Sequence, residues 1–160
     1  MEGKKISAVI IFIVLLYLIL LLWFSESIFN YNKTIKKGEL KKVSVVISAR
    51  DEEKNLINLY NFLENQTYPK ELTEIIIVDD KSIDSSFEIL QDLSKKNKIK
   101  LIRIKKTPIG WASKKWALTQ AIESATGEII MQTDADCQLH PGWISSVINQ
   151  FNNDSIIFVS

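Results

Sequence analysis

The stretch Glu128-Ile129-Ile130-Met131-Gln132-Thr133-Asp134-Ala135-Asp136 is the key to the architecture. A short apolar run opening after Gly127 reads as a buried strand, and its two carboxylates, one residue apart, fall where that strand would leave its sheet. Open α/β sheets bind ligands in the crevice outside the carboxyl ends of their strands. Hard divalent ions such as magnesium take one or two carboxylates together with phosphate oxygens. The pair therefore points to a metal-assisted diphosphate site. In isolation, Asp-x-Asp also occurs in capped turns, where each carboxylate only satisfies nearby backbone donors.

Two further segments repeat the form. Glu74-Ile75-Ile76-Ile77-Val78-Asp79-Asp80-Lys81-Ser82 is an apolar strand ending in paired acids, and Val43-Ser44-Val45-Val46-Ile47-Ser48 runs into Arg50-Asp51-Glu52-Glu53. Strands of this kind would deliver acids to one edge of one sheet.

The chain of 160 residues has room for one domain at most beside a membrane segment. Its apolar and charged fractions are those of a folded protein. A net charge of +1 gives no general attraction for nucleic acid. Cys137 is the only cysteine, which excludes an internal disulfide and fits a reducing compartment. With His140 it would supply only two ligands to zinc, too few for a structural site, and a small buried side chain is the simpler reading.

Ile6 to Phe24 carries no charge and only Ser7 and Tyr17 as polar residues. At about 1.5 Å per residue it covers most of a ~30 Å hydrocarbon core, which predicts a transmembrane helix over residues 1–24. A cleaved signal peptide has a shorter apolar region, about 7–15 residues, and a small-residue site. Here the run ends on Trp23-Phe24, an interfacial anchor. Lys4 and Lys5 precede the span, and Lys33, Lys36, Lys37, Lys41 and Lys42 follow it. That excess places the following domain on the cytoplasmic side of a single-pass plasma (inner) membrane protein. Residues 25–42 read as a basic linker, either solvated or lying along anionic headgroups.

Past the linker, strand and helix alternate. Leu56, Leu59, Tyr60 and Leu63 predict a helix over about Glu53–Gln66, and Tyr68-Pro69 ends it. Phe87, Leu90 and Leu93 mark a helix over Ser85–Lys95, and Asp84 would cap it. Lys98–Ile104 alternates basic and apolar residues as a half-exposed strand. Lys95–Lys106 holds seven basic residues and no acid, which suits either a lysine-protected sheet edge or contact with anionic lipid. A helix over Ser113–Ser124 follows, then a helix opened by Pro141 at a first-turn position, and a strand over Ile156–Val159. Trp111 and Trp116 read either as core or as flanks of a ligand site. The alternation predicts an α/β fold, a mostly parallel sheet flanked by helices. The chain stops inside its last strand, so the domain over 43–160 is expected to be incomplete at its C-terminus, a truncated or fragmentary protein.

Together these segments resemble the amino-terminal half of a family 2 glycosyltransferase of the GT-A (Rossmann-like) type. Val43 to Leu56 is similar to that family's opening strand and its Asn-Glu-Glu-x-Asn-Leu turn, and Gln66-Thr67-Tyr68-Pro69 to the segment before the second strand. Ile77 to Asp84 resembles Val-Asp-Asp-x-Ser-x-Asp, and Lys114-Lys115-Trp116-Ala117-Leu118 resembles Gly-Lys-x-x-Ala-Leu. Ala125-Thr126-Gly127-Glu128 through Asp136 matches Ala-x-Gly-Glu and the Asp-x-Asp strand.

The resemblance implies a nucleotide-sugar donor site. Ser48, Asp51 or Glu52, and Asp80, beside Asp79, would line the base pocket, with Asp80 accepting from the imide N–H of uracil. Lys114 would lie near the diphosphate or base, Asp134 would hold the ribose or a metal-bound water, and Asp134 and Asp136 would serve Mg²⁺ or Mn²⁺. The implied activity is inverting transfer of a sugar, UDP-linked by expectation, to a lipid or polysaccharide acceptor at the membrane. Three positions depart from the pattern: Asp51 stands for asparagine, Arg50 for an aromatic residue and Ser113 for glycine. The family's general base lies beyond Ser160, so the catalytic residue is unknown. The alternative is a truncated, non-catalytic nucleotide-sugar-binding membrane module. A haloacid-dehalogenase-type nucleophile pair is a poorer match, because Gln138 stands where that pattern carries Thr or Val.

Overall fold

The computed structural model describes the backbone of residues 2–31, 40–96 and 99–152, and side chains over residues 10–25, 40–96 and 99–151. The chain divides into two units, Met1–Lys37 and Gly38–Ser160. The first contains helix α1, Glu2–Tyr31. Its large apolar side chains from Ile10 to Phe24 are 47–68% exposed. Among the described residues no helix is long and apolar enough to cross a membrane. The span expected over Ile6–Phe24 runs past the described side chains, and Lys33, Lys36 and Lys37 of the linker lie outside the described residues.

Among the described residues the second unit holds four parallel strands: β1 (Val43–Ala49), β2 (Thr73–Asp80), β3 (Ile99–Ile104) and β4 (Ile129–Asp134), in the order β3-β2-β1-β4. Four helices accompany them: α2 (Leu56–Glu64), α3 (Ser86–Lys96), α4 (Ser113–Glu123) and α5 (Trp143–Ile148). The expected parallel α/β fold is therefore present. The two central strands carry unbroken apolar runs, Val45–Ile47 and Ile75–Val78, because the sheet is covered on both faces. Val45, Ile47, Ile75, Ile77 and Met131 pack with Leu56, Leu59 and Leu63 of α2, Leu90 of α3, and Ile144 and Ile148 of α5. Val46, Ile76, Val78 and Ile104 point the other way, against Ala117 and Ala121 of α4. Each large side chain so buried contributes about 1.5–3 kcal/mol.

This period of two assigns residues of one parity to the α4 face and the other to the α2/α3/α5 face. β1 neighbours both β2 and β4, since the chain first builds β2 and β3 on one side and then crosses back. That reversal is a topological switch point, where parallel sheets open a crevice at the carboxyl ends of their strands.

At the opposite end a polar knot joins three strands. Ser44 Oγ donates to Glu74 Oε2 (2.5 Å), the Thr126 N–H donates to the same oxygen (2.9 Å), and the Gly127 N–H donates to Ser44 Oγ (2.8 Å). Burial pushes the Glu74 carboxyl up. Hydrogen bonds from Ser44 and Thr126, with Lys100 nearby, outweigh burial and hold it below the ordinary glutamate value.

Several boundaries move. Helix α2 starts at Leu56 rather than Glu53, because Glu52 and Glu53 spend their backbone N–H groups on Ser86 Oγ (2.8 Å) and Asp84 Oδ2 (3.2 Å). Pro141 does not occupy the first turn of α5. Gly142 is the N-cap, and the Pro141 carbonyl instead accepts the Thr67 N–H (2.8 Å). Among the described strands β3 lies at an edge of the sheet, as its lysines suggested. Asp84 Oδ1 accepts the Ser86 N–H at the start of α3 (3.0 Å), the expected cap. Cys137 is exposed, not buried as expected, because it follows β4 on the turn closed by its N–H to the Asp134 carbonyl (3.3 Å). The strand expected over Ile156–Val159 and the residue Lys98 lie outside the described residues.

Candidate functional site

At the carboxyl ends of β1, β2 and β4 a cleft of about 320 Å³ is lined by Ser48, Arg50, Glu52, Asp80, Ser113, Lys114, Asp134, Ala135 and Asp136. Ser48, Asp80 and Asp134 share the parity that faces α4, whose first turn contributes Ser113 and Lys114. The turn after β4 carries Asp136 back to the same side while Ala135, 3% exposed, joins the opposite core. A larger hollow of about 660 Å³ lies among Tyr68, Lys70, Ile75 and Ile99, at the starts of β2 and β3. It is at the wrong end of a parallel sheet for a ligand crevice, and Lys70 and Glu64 on its wall are paired with each other. The hydrogen bond that Lys70 donates to Glu64 raises the Lys70 pKa.

Within the cleft the acids have different surroundings. Asp80 is 3% exposed. Its Oδ1 accepts from Ser113 Oγ (2.8 Å) and lies 3.3 Å from Lys81 Nζ. Asp134 Oδ1 is 2.8 Å from Lys114 Nζ, with both side chains about half exposed, at 49% and 58%. Glu52 Oε2 accepts from Asn55 Nδ2 (2.6 Å). Asp136 is exposed at the rim. Four acids against Arg50 and Lys114 make the cleft electronegative, suited to a cation that could in turn bridge an anion.

Two expected residues are not brought into this lining. Asp79 has the opposite parity to Asp80 and points to the α3 face, where it is fully buried. There Oδ1 accepts the Ser82 N–H (3.3 Å), and Oδ2, without a hydrogen bond, is 3.4 Å from Arg103 Nε. The Arg103 guanidinium stacks 3.6 Å from the Phe87 ring centroid. Asp51, at φ 56°, turns out of the cleft to join two loops. Its carboxylate accepts the Ile83 N–H (2.8 Å) and its own N–H donates to Ser82 Oγ (3.0 Å). Of the Asp51 and Glu52 alternatives, only Glu52 lines the cleft.

Lys81 and Thr107 had no assigned role in the sequence, yet Lys81 stands directly against Asp80 and Thr107 joins the same network through Lys81 and Ser113. The one available signal was Lys81 itself, a cation directly after paired acids. Trp111 and Trp116 stack edge to face with centroids 5.2 Å apart; Trp116 packs on the α4-side core, which supports a packing role for it, whereas Trp111 is 41% exposed. His140 is exposed, its Nδ1 accepting the Gly142 N–H (3.1 Å).

Among the described residues no three His, Cys, Asp or Glu side chains cluster as a metal cage. The donor set nevertheless fits a hard cation of the magnesium type, which commonly takes only one or two carboxylates and completes its shell with water and phosphate oxygens. Lys114 holds one Asp134 oxygen, so Asp136 is the less encumbered of the two carboxylates.

The sequence profile described as Glycosyl transferase family 2 matches residues 44–160. The beta-monoglucosyldiacylglycerol synthase of Nostoc sp. is 34% identical over 128 residues, 79% of this chain and 27% of that protein. The dolichol-phosphate mannosyltransferase of Pyrococcus furiosus is 35% identical over 118 residues, 74% of this chain and 32% of that protein. The chain thus spans about a quarter to a third of the length of these relatives. Among solved structures, Staphylococcus aureus TarS in complex with UDP superposes with a TM-score of 0.58 at 25% identity, covering 67% of this chain and 31% of that one. Mannosyltransferase PcManGT from Pyrobaculum calidifontis, in complex with GDP-Man and Mn²⁺, gives a TM-score of 0.63 at 22% identity, a likeness of fold, covering 74% of this chain and 34% of that one.

Proposed function

The chain belongs to glycosyl transferase family 2, and on that basis we propose that its cleft is the donor half of an inverting transferase that uses a UDP-linked sugar and a divalent metal. The convergence of Ser48, Glu52, Asp80, Lys114, Asp134 and Asp136 at the switch point of a parallel sheet carries this reading. Asp80, buried and held by Ser113, offers a fixed acceptor to the imide N–H of the base, with Ser48 and Glu52 beside it. Lys114 sits at the head of α4 against Asp134 and supplies a cation to the diphosphate. Asp134 then takes the ribose or a metal-bound water, and Asp136 with Asp134 would hold Mg²⁺ or Mn²⁺. That ion, when bound, supplies Lewis-acid stabilisation to the departing nucleoside diphosphate. Lys114 adds a second positive charge where negative charge develops.

Asp51 and Asp79 support the site from behind. Asp51 joins the β1–α2 loop to the β2–α3 turn, and Asp79 holds the start of that turn through Ser82. The residues of this chain thus account for binding and orientation of the donor, and no residue of the cleft is assigned the acceptor's proton.

A lipid or polysaccharide acceptor is proposed from the relatives, whose names specify diacylglycerol, dolichol phosphate and poly(ribitol phosphate) products or acceptors. Membrane anchoring by α1 is proposed from the uncharged run Ile6–Phe24 and the exposed apolar side chains from Ile10 to Phe24, and the cytoplasmic side for the domain from the excess of lysines that follows the run. Retention of the chain in membrane pellets through an alkaline carbonate wash is the expected result, and release would refute the anchor.

The donor site is tested by isothermal titration of the full chain with UDP, with and without Mn²⁺, beside Asp136→Ala. Manganese-dependent binding that the substitution abolishes is expected. A folded wild-type chain that binds no UDP under either condition would overturn the donor-site assignment. The competing reading, a nucleotide-sugar-binding module without turnover, shares that binding and differs in giving no product from a UDP-sugar.

A further inference from the structure

Three side chains converge on one oxygen of Asp80. Ser113 Oγ donates to Asp80 Oδ1 over 2.8 Å, and Lys81 Nζ stands 3.3 Å from the same atom. Lys81 Nζ also donates to Thr107 Oγ1 (2.6 Å) and to Ser113 Oγ, and the two hydroxyls are 3.1 Å apart. Lys81 reaches back in this way because its backbone is left-handed, at φ 62°.

The protons of this group can be placed. A carboxylate only accepts, so the single Ser113 proton points at Asp80. Ser113 must then accept from Thr107, and Thr107 in turn accepts from Lys81. Every proton runs toward Oδ1. Among the described residues no side chain donates to Oδ2 of Asp80, although the residue is 3% exposed and lines the cleft.

We infer that the Lys81–Thr107–Ser113 relay sets nucleobase specificity by committing Oδ1 and leaving Asp80 a single acceptor, Oδ2, for a base with one imide N–H. The inference rests on the donor-site reading above. Uracil presents one such donor. Guanine presents two adjacent donors, N1–H and the exocyclic amine, and pairs well only with both carboxylate oxygens. Cytosine presents a lone pair at N3, which Oδ2 repels. A site that leaves a polar group of the wrong base unpaired in a desolvated pocket discriminates strongly. Lys81 and Thr107 act through Ser113 and Asp80 and are positioning residues.

The test is titration of the full chain with UDP, GDP and CDP in Mn²⁺, repeated for Thr107→Val, for Ser113→Ala and for the double variant Lys81→Met/Ser113→Ala, which removes both partners of Oδ1. The wild type is expected to prefer UDP over GDP by roughly tenfold or more. Freeing Oδ1 should narrow that ratio by about the same factor, with GDP gaining as UDP loses. General damage to the fold would weaken both nucleotides together and leave the ratio alone. Thr107 lies in the loop between β3 and α4, and Thr107→Val leaves Ser113 and Lys81 on Oδ1, so it should move the ratio less than removal of both. A wild type that binds GDP as tightly as UDP overturns the inference. So does an unchanged ratio in the double variant, and in that case the donor site stands. Failure to bind any of the three nucleotides overturns both.

Discussion

Gly127→Ala tests the packing that delivers β4 and its acids to the cleft. A Cβ placed on Gly127 would lie 2.5 Å from the Ser44 backbone nitrogen, 2.7 Å from the Val43 carbonyl carbon and 2.8 Å from Ser44 Oγ. Two of these are backbone atoms of the central strand, covered on both faces, so relief requires β1 and β4 to separate. Overpacking of this kind costs about 1–3 kcal/mol. The separation also strains the Gly127 N–H to Ser44 Oγ bond and the Ser44 to Glu74 bond behind it, each contributing about 1 kcal/mol. Against this, alanine lowers the entropy of the unfolded chain by about 0.4–1 kcal/mol. The balance is a loss of about 2–4 kcal/mol, or on the order of 10–20 °C in Tm for a domain of this size.

Gly110→Ala is the matching control. Gly110 sits at φ +85°, and a Cβ there would meet nothing within 4 Å, so alanine adds only left-handed strain, about 1 kcal/mol. Thermal melts of both variants followed by circular dichroism provide the assay. If Gly127→Ala melts within about 2 °C of wild type, or no lower than Gly110→Ala, the close-approach argument is wrong.

Two other outcomes follow from the same geometry. The Glu74 carboxyl has a folded-state pKa below its ordinary value of 4.5, so its contribution to stability is fully present above that pH and is lost as the pH falls through the lower folded value. Asp84, lowered by hydrogen bonds from Ser86 and Glu53 that outweigh burial, acts in the same direction. Urea denaturation across this acid range should therefore show Glu74→Gln with a flatter pH dependence than wild type, and parallel curves would refute the role of the knot. Lys114→Met should change stability by less than about 1 kcal/mol, because its pair with Asp134 is half exposed and screened. Its UDP affinity should fall by roughly tenfold, the loss of one charge-assisted bond. Melting and titration of one preparation separate the two effects, and unchanged affinity would remove Lys114 from the diphosphate site.

The four described strands, their order of appearance and the edge to which they deliver acids are written in the chain. Runs such as Ile75-Ile76-Ile77-Val78 are legible because a strand covered on both faces must be apolar at every position, and Asp80 and Asp134 are legible because charge can follow such a run only where it emerges. Helix periodicity located α2, α3 and α4 to within a few residues. The starts of α2 and α5 were not legible, since long-range partners decided them: Ser86 and Asp84 hold the N–H groups of Glu52 and Glu53, and Thr67 holds the Pro141 carbonyl.

Folding alone separates the neighbouring acids. Asp79 and Asp80 are indistinguishable as a sequence pair, yet the pleat sends one to Arg103 and the other to the cleft. Asp51 and Glu52 part in the same way, through a left-handed residue that turns Asp51 toward Ile83. Lys81, Thr107 and Ser113 meet at Asp80 from three segments of the chain. No local pattern encodes such a meeting, because it depends on which strands become neighbours and on the parity with which each one ends. Sequence spacing specifies where a side chain leaves the backbone, and the packing of the sheet decides what it faces.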